Sequence, residues 1–132
     1  MKGFHSNIEL KTLENNNFRE VLYTGNYIQL VLMVLKPKEE IGLEIHKDND
    51  QFFRFESGIG KCIIDDNEYK LEDGISIIVP AGAKHNIINL SDTEDLKFYT
   101  IYALPHHKDG IIRATKLEAE SNEEDFDGIT SE

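Results

Sequence analysis

The sequence predicts an all-β domain, a sandwich or closed barrel. Three observations lead there. Short apolar runs alternate with turn residues at close, even spacing. The breaks between runs are made of Gly, Pro, Asn and Asp, the residues that turns demand. A length of 132 residues fits one domain with one core.

The elements follow in order. Residues 26–37, NYIQLVLMVLKP, read as a strand ended by Pro37. Leu30, Leu32 and Val34 alternate with Gln29, Val31, Met33 and Leu35, so both faces are apolar. Such a strand is expected to be covered on both sides, by a second sheet or by a subunit. Residues 41–46, IGLEIH, form a short strand after a Lys-Glu-Glu turn. Residues 50–71 read as a hairpin-rich region with turns at Ser57-Gly58 and Asp65-Asp66-Asn67. Residues 74–90 hold two strands broken by Pro80-Ala81-Gly82, and 95–105 hold another. Helix is admissible over 116–126, and a short turn within the first twenty residues. There is no internal repeat, linker or second domain.

Composition narrows the function classes. The chain is 39% hydrophobic and 30% charged, an ordinary globular balance. A net charge of −11 repels phosphate backbones and argues against a nucleic-acid partner. The apolar runs are too short for a membrane helix. The N-terminal MKGFHSNIELK lacks the apolar stretch and cleavage site of a secretory signal. The single Cys62 has no partner for an internal disulfide; it reads as a small core residue, and the expected location is cytoplasmic. Residues 117–132 carry seven carboxylates and no base. They form either a solvated tail or a segment that docks on a barrel through Phe126.

One stretch is specific. Gly74, Pro80, Gly82, His85 and Asn89 stand at the spacing G-x5-P-x-G-x2-H-x3-N. The pattern has physical reasons. Gly74 lets the chain turn into a strand, Pro80 and Gly82 make the next tight turn, and His85 opens the following strand. The stretch resembles the second cupin motif at every defined position. The first cupin motif, G-x5-H-x-H-x4-E-x6-G, is met by Lys38, Glu44, His46, Gln51 and Gly58. The spacing is kept and three identities change, with Lys38 for Gly, Glu44 for His and Gln51 for Glu. The resemblance to single-domain cupins runs from about Tyr27 to Tyr102. It implies a cupin-type jelly-roll β-barrel over residues 1–116, followed by the acidic C-terminal tail over 117–132.

The resemblance also implies a site. Carried over position by position, the ligands of one divalent metal ion (Mn, Fe, Ni or Zn) are Glu44, His46, Gln51 and His85. Period-2 geometry puts Glu44 and His46 on one strand face. The alternative is that His46 is a hydrogen-bonded pocket histidine satisfied by Gln51, with no metal. Asp48 or Asp50 in place of Gln51 gives a rival ligand set. Phe53 and Phe55 share the face of Gln51, and with Ile87 and Tyr102 they are expected to line the pocket. Arg54, Lys84 and Asn86 face away. His106-His107 is either a surface loop pair or a source of a mouth residue, an acid–base group or a second metal ligand.

Small cupins of this kind are likened to mannose-6-phosphate-type sugar-phosphate isomerases, with Glu44 the candidate for proton transfer. A cupin dioxygenase and a non-catalytic module holding a small molecule are the other readings. A homodimer is expected, since small cupins commonly pair.

Overall fold

The computed structural model describes residues 1–132. In chain order the elements are α1 (Ile8–Glu14), β1 (Arg19–Thr24), β2 (Gln29–Leu35), β3 (Glu44–Ile45), β4 (Asp50–Ser57) and β5 (Gly60–Ile64). There follow β6 (Asn67–Leu71), β7 (Ser76–Val79), β8 (Lys84–Asn89), β9 (Leu96–Ala103), β10 (Ile112–Arg113) and α2 (Lys116–Ser121). They build two sheets, a six-stranded one ordered β10-β1-β2-β9-β4-β7 and a four-stranded one ordered β3-β8-β5-β6. Every pairing is antiparallel. This is the predicted all-β jelly roll.

The core lies between the sheets. Val31, Met33, Leu35, Phe53, Phe55 and Phe98 enter it from the larger sheet, and Cys62, Leu71 and Ile87 from the smaller. The Phe53, Phe55 and Phe98 rings sit with centroids 5.0 to 6.2 Å apart. Such a cluster stabilises beyond its buried area.

Two turns do more than the sequence predicts. Ser57-Gly58 is not a hairpin; it carries the chain from the six-stranded sheet into the four-stranded one. The same holds for Pro80-Ala81-Gly82 between β7 and β8. A hairpin and a sheet crossover use the same turn residues, so local sequence cannot separate them. Asp65-Asp66 does close a hairpin, β5 to β6, with Asp65 at φ 50°.

The outer face of β2 is covered from within the chain. Leu32 and Val34 are buried on the face opposite Val31 and Met33, and α1 lies against β2, β4 and β9. Asn7 caps this helix by accepting from Leu10 N–H at 3.1 Å, and Lys97 Nζ on β9 donates to Leu13 O at 2.7 Å. The two apolar faces of β2 therefore find cover without a second subunit.

The acidic C-terminal stretch is docked. Thr115 caps α2, and Ala119 is buried. Beyond the helix, Lys108 N–H donates to Glu124 O and Phe126 N–H donates to His106 O. Arg113 binds the Glu124 carboxylate at 2.9 Å. The terminal Glu132 carboxylate accepts from Lys2 N–H, Gly3 N–H and Tyr23 Oη, each at 2.7 Å. These contacts lay the segment across one end of the barrel.

Candidate metal centre

The two motif segments meet at that end. In the β3–β8 register Glu44 stands opposite His85, and His46 follows directly after β3. The segments also clamp one another: Gly82 N–H donates to His46 O at 2.9 Å, and Ala81 N–H donates to the Asp50 carboxylate at 2.8 Å. Gly82 has φ 89°, a conformation that favours glycine. The motif residues thus fix the loop that carries His46 as well as the strand that carries His85.

Glu44, His46 and His85 converge. One ligand atom from each lies within 4.8 Å of the others, and Glu44 Oε2 sits 2.9 Å from His46 Nε2. His85 Nδ1 lies 3.2 Å from Ala83 O. A carbonyl can only accept, so Nδ1 carries the proton of the neutral ring and Nε2 keeps its lone pair. Burial holds the His85 pKa below its ordinary value, and the His46 field adds to this; the Ala83 carbonyl and Glu44 oppose it. A neutral imidazole is the form that binds metal. Burial pushes the Glu44 carboxyl up, but the His46 hydrogen bond and the fields of His46, His85 and Arg19 outweigh it, and the net shift is downward. Carboxylate oxygen and imidazole nitrogen are the donors that Mn, Fe, Ni and Zn accept. The donor set fits one divalent cation.

Gln51 is buried and stands opposite Tyr102 on β9. Its Nε2 donates to Thr100 Oγ1 at 2.9 Å, and that hydroxyl donates to Phe52 O at 2.9 Å. With the hydroxyl proton committed, Thr100 can only accept from Gln51, which fixes the amide orientation. Gln51 Oε1 is left buried with no partner. A buried carbonyl oxygen without a donor is uncommon, and a cation or its bound water satisfies it. Neither Asp48 nor Asp50 joins the convergent cluster.

A cavity of about 330 Å3 opens above the cluster, lined by Arg19, Glu44, His46, His106 and His107, with Glu123 to Asp125 of the docked segment on its far wall. Phe53, Phe55, Ile87 and Tyr102, expected on a pocket wall, lie below it in the core instead. The Phe53 ring meets His85 edge-on at 6.4 Å, and Tyr102 meets His46 edge-on at 5.7 Å. Their parity places them inward as predicted; they sit one layer deeper because the histidines cap them. Arg54 faces out and pairs with Glu56. Asn86 is buried and holds the 40–42 loop through Gly42 N–H and Glu40.

His106-His107 belongs to the site. Buried Gln29 accepts from both N–H groups, at 3.1 and 2.9 Å, and donates to His107 O at 2.7 Å. That clamp sets the His106 ring 4.5 Å from His46 and stacks it on Tyr102. Burial depresses the pKa of both histidines, His107 strongly. His107 Nε2 lies 3.2 Å from Tyr102 Oη. A glutamine within an apolar strand is the one sequence signal for this clamp. Arg19 carries no signal, and for the acidic wall docking is one of two readings, because their place depends on how the two chain ends fold back.

Comparison with known proteins agrees with this geometry. The model of the Cupin domain family matches residues 31–102. A protein of Acanthamoeba polyphaga mimivirus is 46% identical over 109 residues, 80% of this chain and 68% of its own length. YrkC of Bacillus subtilis (strain 168) is 43% identical over 129 residues, 93% of this chain and 69% of its own length. The crystal structure of BH2720 from Bacillus halodurans superposes with a TM-score of 0.89 at 38% identity, covering 92% of this chain and 96% of that one. A jelly roll whose two motif segments close on one another, matched by a family model over most of its strands, makes this chain a member of the Cupin domain family.

Proposed function

We propose that this chain is a metal-dependent cupin that acts on a small polar molecule in the cavity above Glu44, His46 and His85. The observation that carries the reading is the convergence of one carboxylate and two imidazoles, with Glu44 and His46 of that cluster lining an open, polar cavity. A divalent ion at that position supplies Lewis-acid polarisation of a bound oxygen. The chain's own residues do the rest. Ala83 O fixes the His85 tautomer, and Gly82 N–H holds the loop that bears His46. His106, beside His46 at the cavity wall, is placed to exchange a proton with a bound molecule.

Two histidines with one carboxylate are the donor set of non-haem Fe(II) oxygenases. That favours oxygen chemistry over sugar-phosphate isomerisation. An isomerase of that kind needs cations for a phosphate dianion, and Arg19 is the only lysine or arginine on the cavity wall. A non-catalytic binding module uses the same cavity; the 2.9 Å bond between Glu44 and His46 supports it, since that pair is satisfied without an ion.

Elemental analysis of untagged protein after reconstitution with Mn, Fe, Ni or Zn, beside a His46→Ala/His85→Ala double variant of verified fold, tests the reading. Close to one ion per parent chain and none in the variant is the expected result. No uptake by the parent under any of the four metals refutes the metal reading and leaves the binding module.

A further inference from the structure

Arg19 is the one arginine of the chain without a carboxylate at ion-pair distance. Arg54 pairs with Glu56 and Arg113 pairs with Glu124. In a chain with 25 acidic and 14 basic residues, a half-buried cation left unpaired is anomalous. Its Nε is buried without a hydrogen-bond partner, as are those of Arg54 and Arg113, so the missing carboxylate is what sets it apart; its guanidinium carbon lies 5.5 Å from the Phe18 ring centroid. A half-buried guanidinium without an ion-pair partner is unfavourable, and Arg19 lines a cavity, so its partner can come from outside the chain.

The position says what that partner is. Arg19 lines the mouth cavity together with Glu44 and His46, so one small molecule can touch both the guanidinium and the convergent cluster. The planar fork of arginine matches a carboxylate in two-point contact. A volume of about 330 Å3 admits only a small ligand. The outer wall limits the charge further. Glu123 and Asp125 line the same cavity and neither is in an ion pair, while Glu124 is held by Arg113 and Lys108. Two free carboxylates facing one arginine repel a second negative charge on the ligand.

We infer that Arg19 recognises the carboxylate of a small monocarboxylic acid, whose neighbouring oxygen faces Glu44, His46 and His85. This names the substrate class of the site proposed above and rests on that reading for the role of the second oxygen.

Titration calorimetry with acetate, glycolate and pyruvate, on metal-reconstituted and on chelator-stripped protein, tests the assignment. Pyruvamide serves as the neutral counterpart and malonate as the dianion. At least one of the three monocarboxylates is expected to bind, and Arg19→Gln to weaken it by about tenfold or more with metal content unchanged. Arg19→Lys should keep part of the affinity, which separates loss of recognition from loss of fold. Pyruvamide should bind more weakly than pyruvate to the parent and equally to parent and variant, and malonate more weakly than pyruvate. No monocarboxylate binding, binding unchanged in Arg19→Gln, or pyruvamide equal to pyruvate each overturns the inference. Metal uptake without carboxylate binding sinks Arg19 recognition alone. Arg19-dependent carboxylate binding without metal uptake sinks the metal reading alone.

Discussion

Thr100 decides which way the Gln51 amide faces. Its hydroxyl proton goes to Phe52 O, so its oxygen must accept the Gln51 Nε2–H and turn Oε1 away. Thr100→Val keeps the shape and removes both bonds. It is expected to destabilise the fold by about 1–3 kcal/mol and to let the amide rotate, lowering metal affinity about threefold to tenfold. Denaturant unfolding and a chelator competition read the two effects, and Thr100→Ser should restore both. Equal metal affinity in Thr100→Val would mean that Gln51 Oε1 takes no part. At this scale the sequence is most legible where spacing carries the signal. His46, His85 and Glu44 converge as their motif positions imply. Lys38 occupies a motif glycine position and keeps the glycine conformation at φ 64°, with Nζ tied to Leu90 O at 2.8 Å. The orientation of Gln51 is not legible, because it depends on the Thr100 hydroxyl, on another strand and far away in sequence.

Gly58 carries the chain from β4 into β5, and so from one sheet to the other. Its φ is 101°, and a Cβ there would collide with Asp95 O and stand 2.9 Å from Leu96 Cα. Both obstacles are backbone, so neither can turn aside. Gly58→Ala is expected to destabilise by about 3 kcal/mol, from backbone strain and overpacking together. A urea midpoint within experimental error of the parent would show that the crossover is not held as described. Strands are readable because alternation and turn residues are local signals. β2 ends before Pro37, as the sequence predicts, and β9 ends at Ala103, two residues short of the predicted 95–105. The helix α1 escapes sequence reading because seven residues, IELKTLE, give fewer than two full repeats of a helical pattern. Which sheet a strand joins, and that the tail crosses the cavity, depend on contacts far apart in sequence.

The molecule as a whole carries a net charge of −11, which raises the local concentration of cations around the metal-type site. Its stability should fall towards both pH extremes for identifiable reasons. Burial keeps His107 neutral with a pKa well below its ordinary value. As pH drops below about 6.5 the unfolded chain takes up a proton that the native chain refuses, so stability is lost on the acid side. Burial pushes the Cys62 thiol up to about 11. Above its ordinary value of 9.0 the unfolded thiol ionises first, and the stability tied to the buried thiol is lost between there and about 11. Urea midpoints should therefore be lower at pH 5 and at pH 10 than at pH 7.5. Cys62 should resist thiol reagents until the protein unfolds. A midpoint that stays flat from pH 5 to 7.5 would contradict the buried neutral histidine.

The proposed function rests on Glu44, which stands where the motif has histidine and converges with His46 and His85. Anomalous diffraction from crystals of the manganese- or zinc-reconstituted protein looks at that centre directly. One strong peak is expected at bonding distance, roughly 2.0–2.3 Å, from a Glu44 oxygen and a nitrogen of each histidine. A peak at the Glu123 and Asp125 wall instead, or none at the cluster, would show that the three residues do not form the centre.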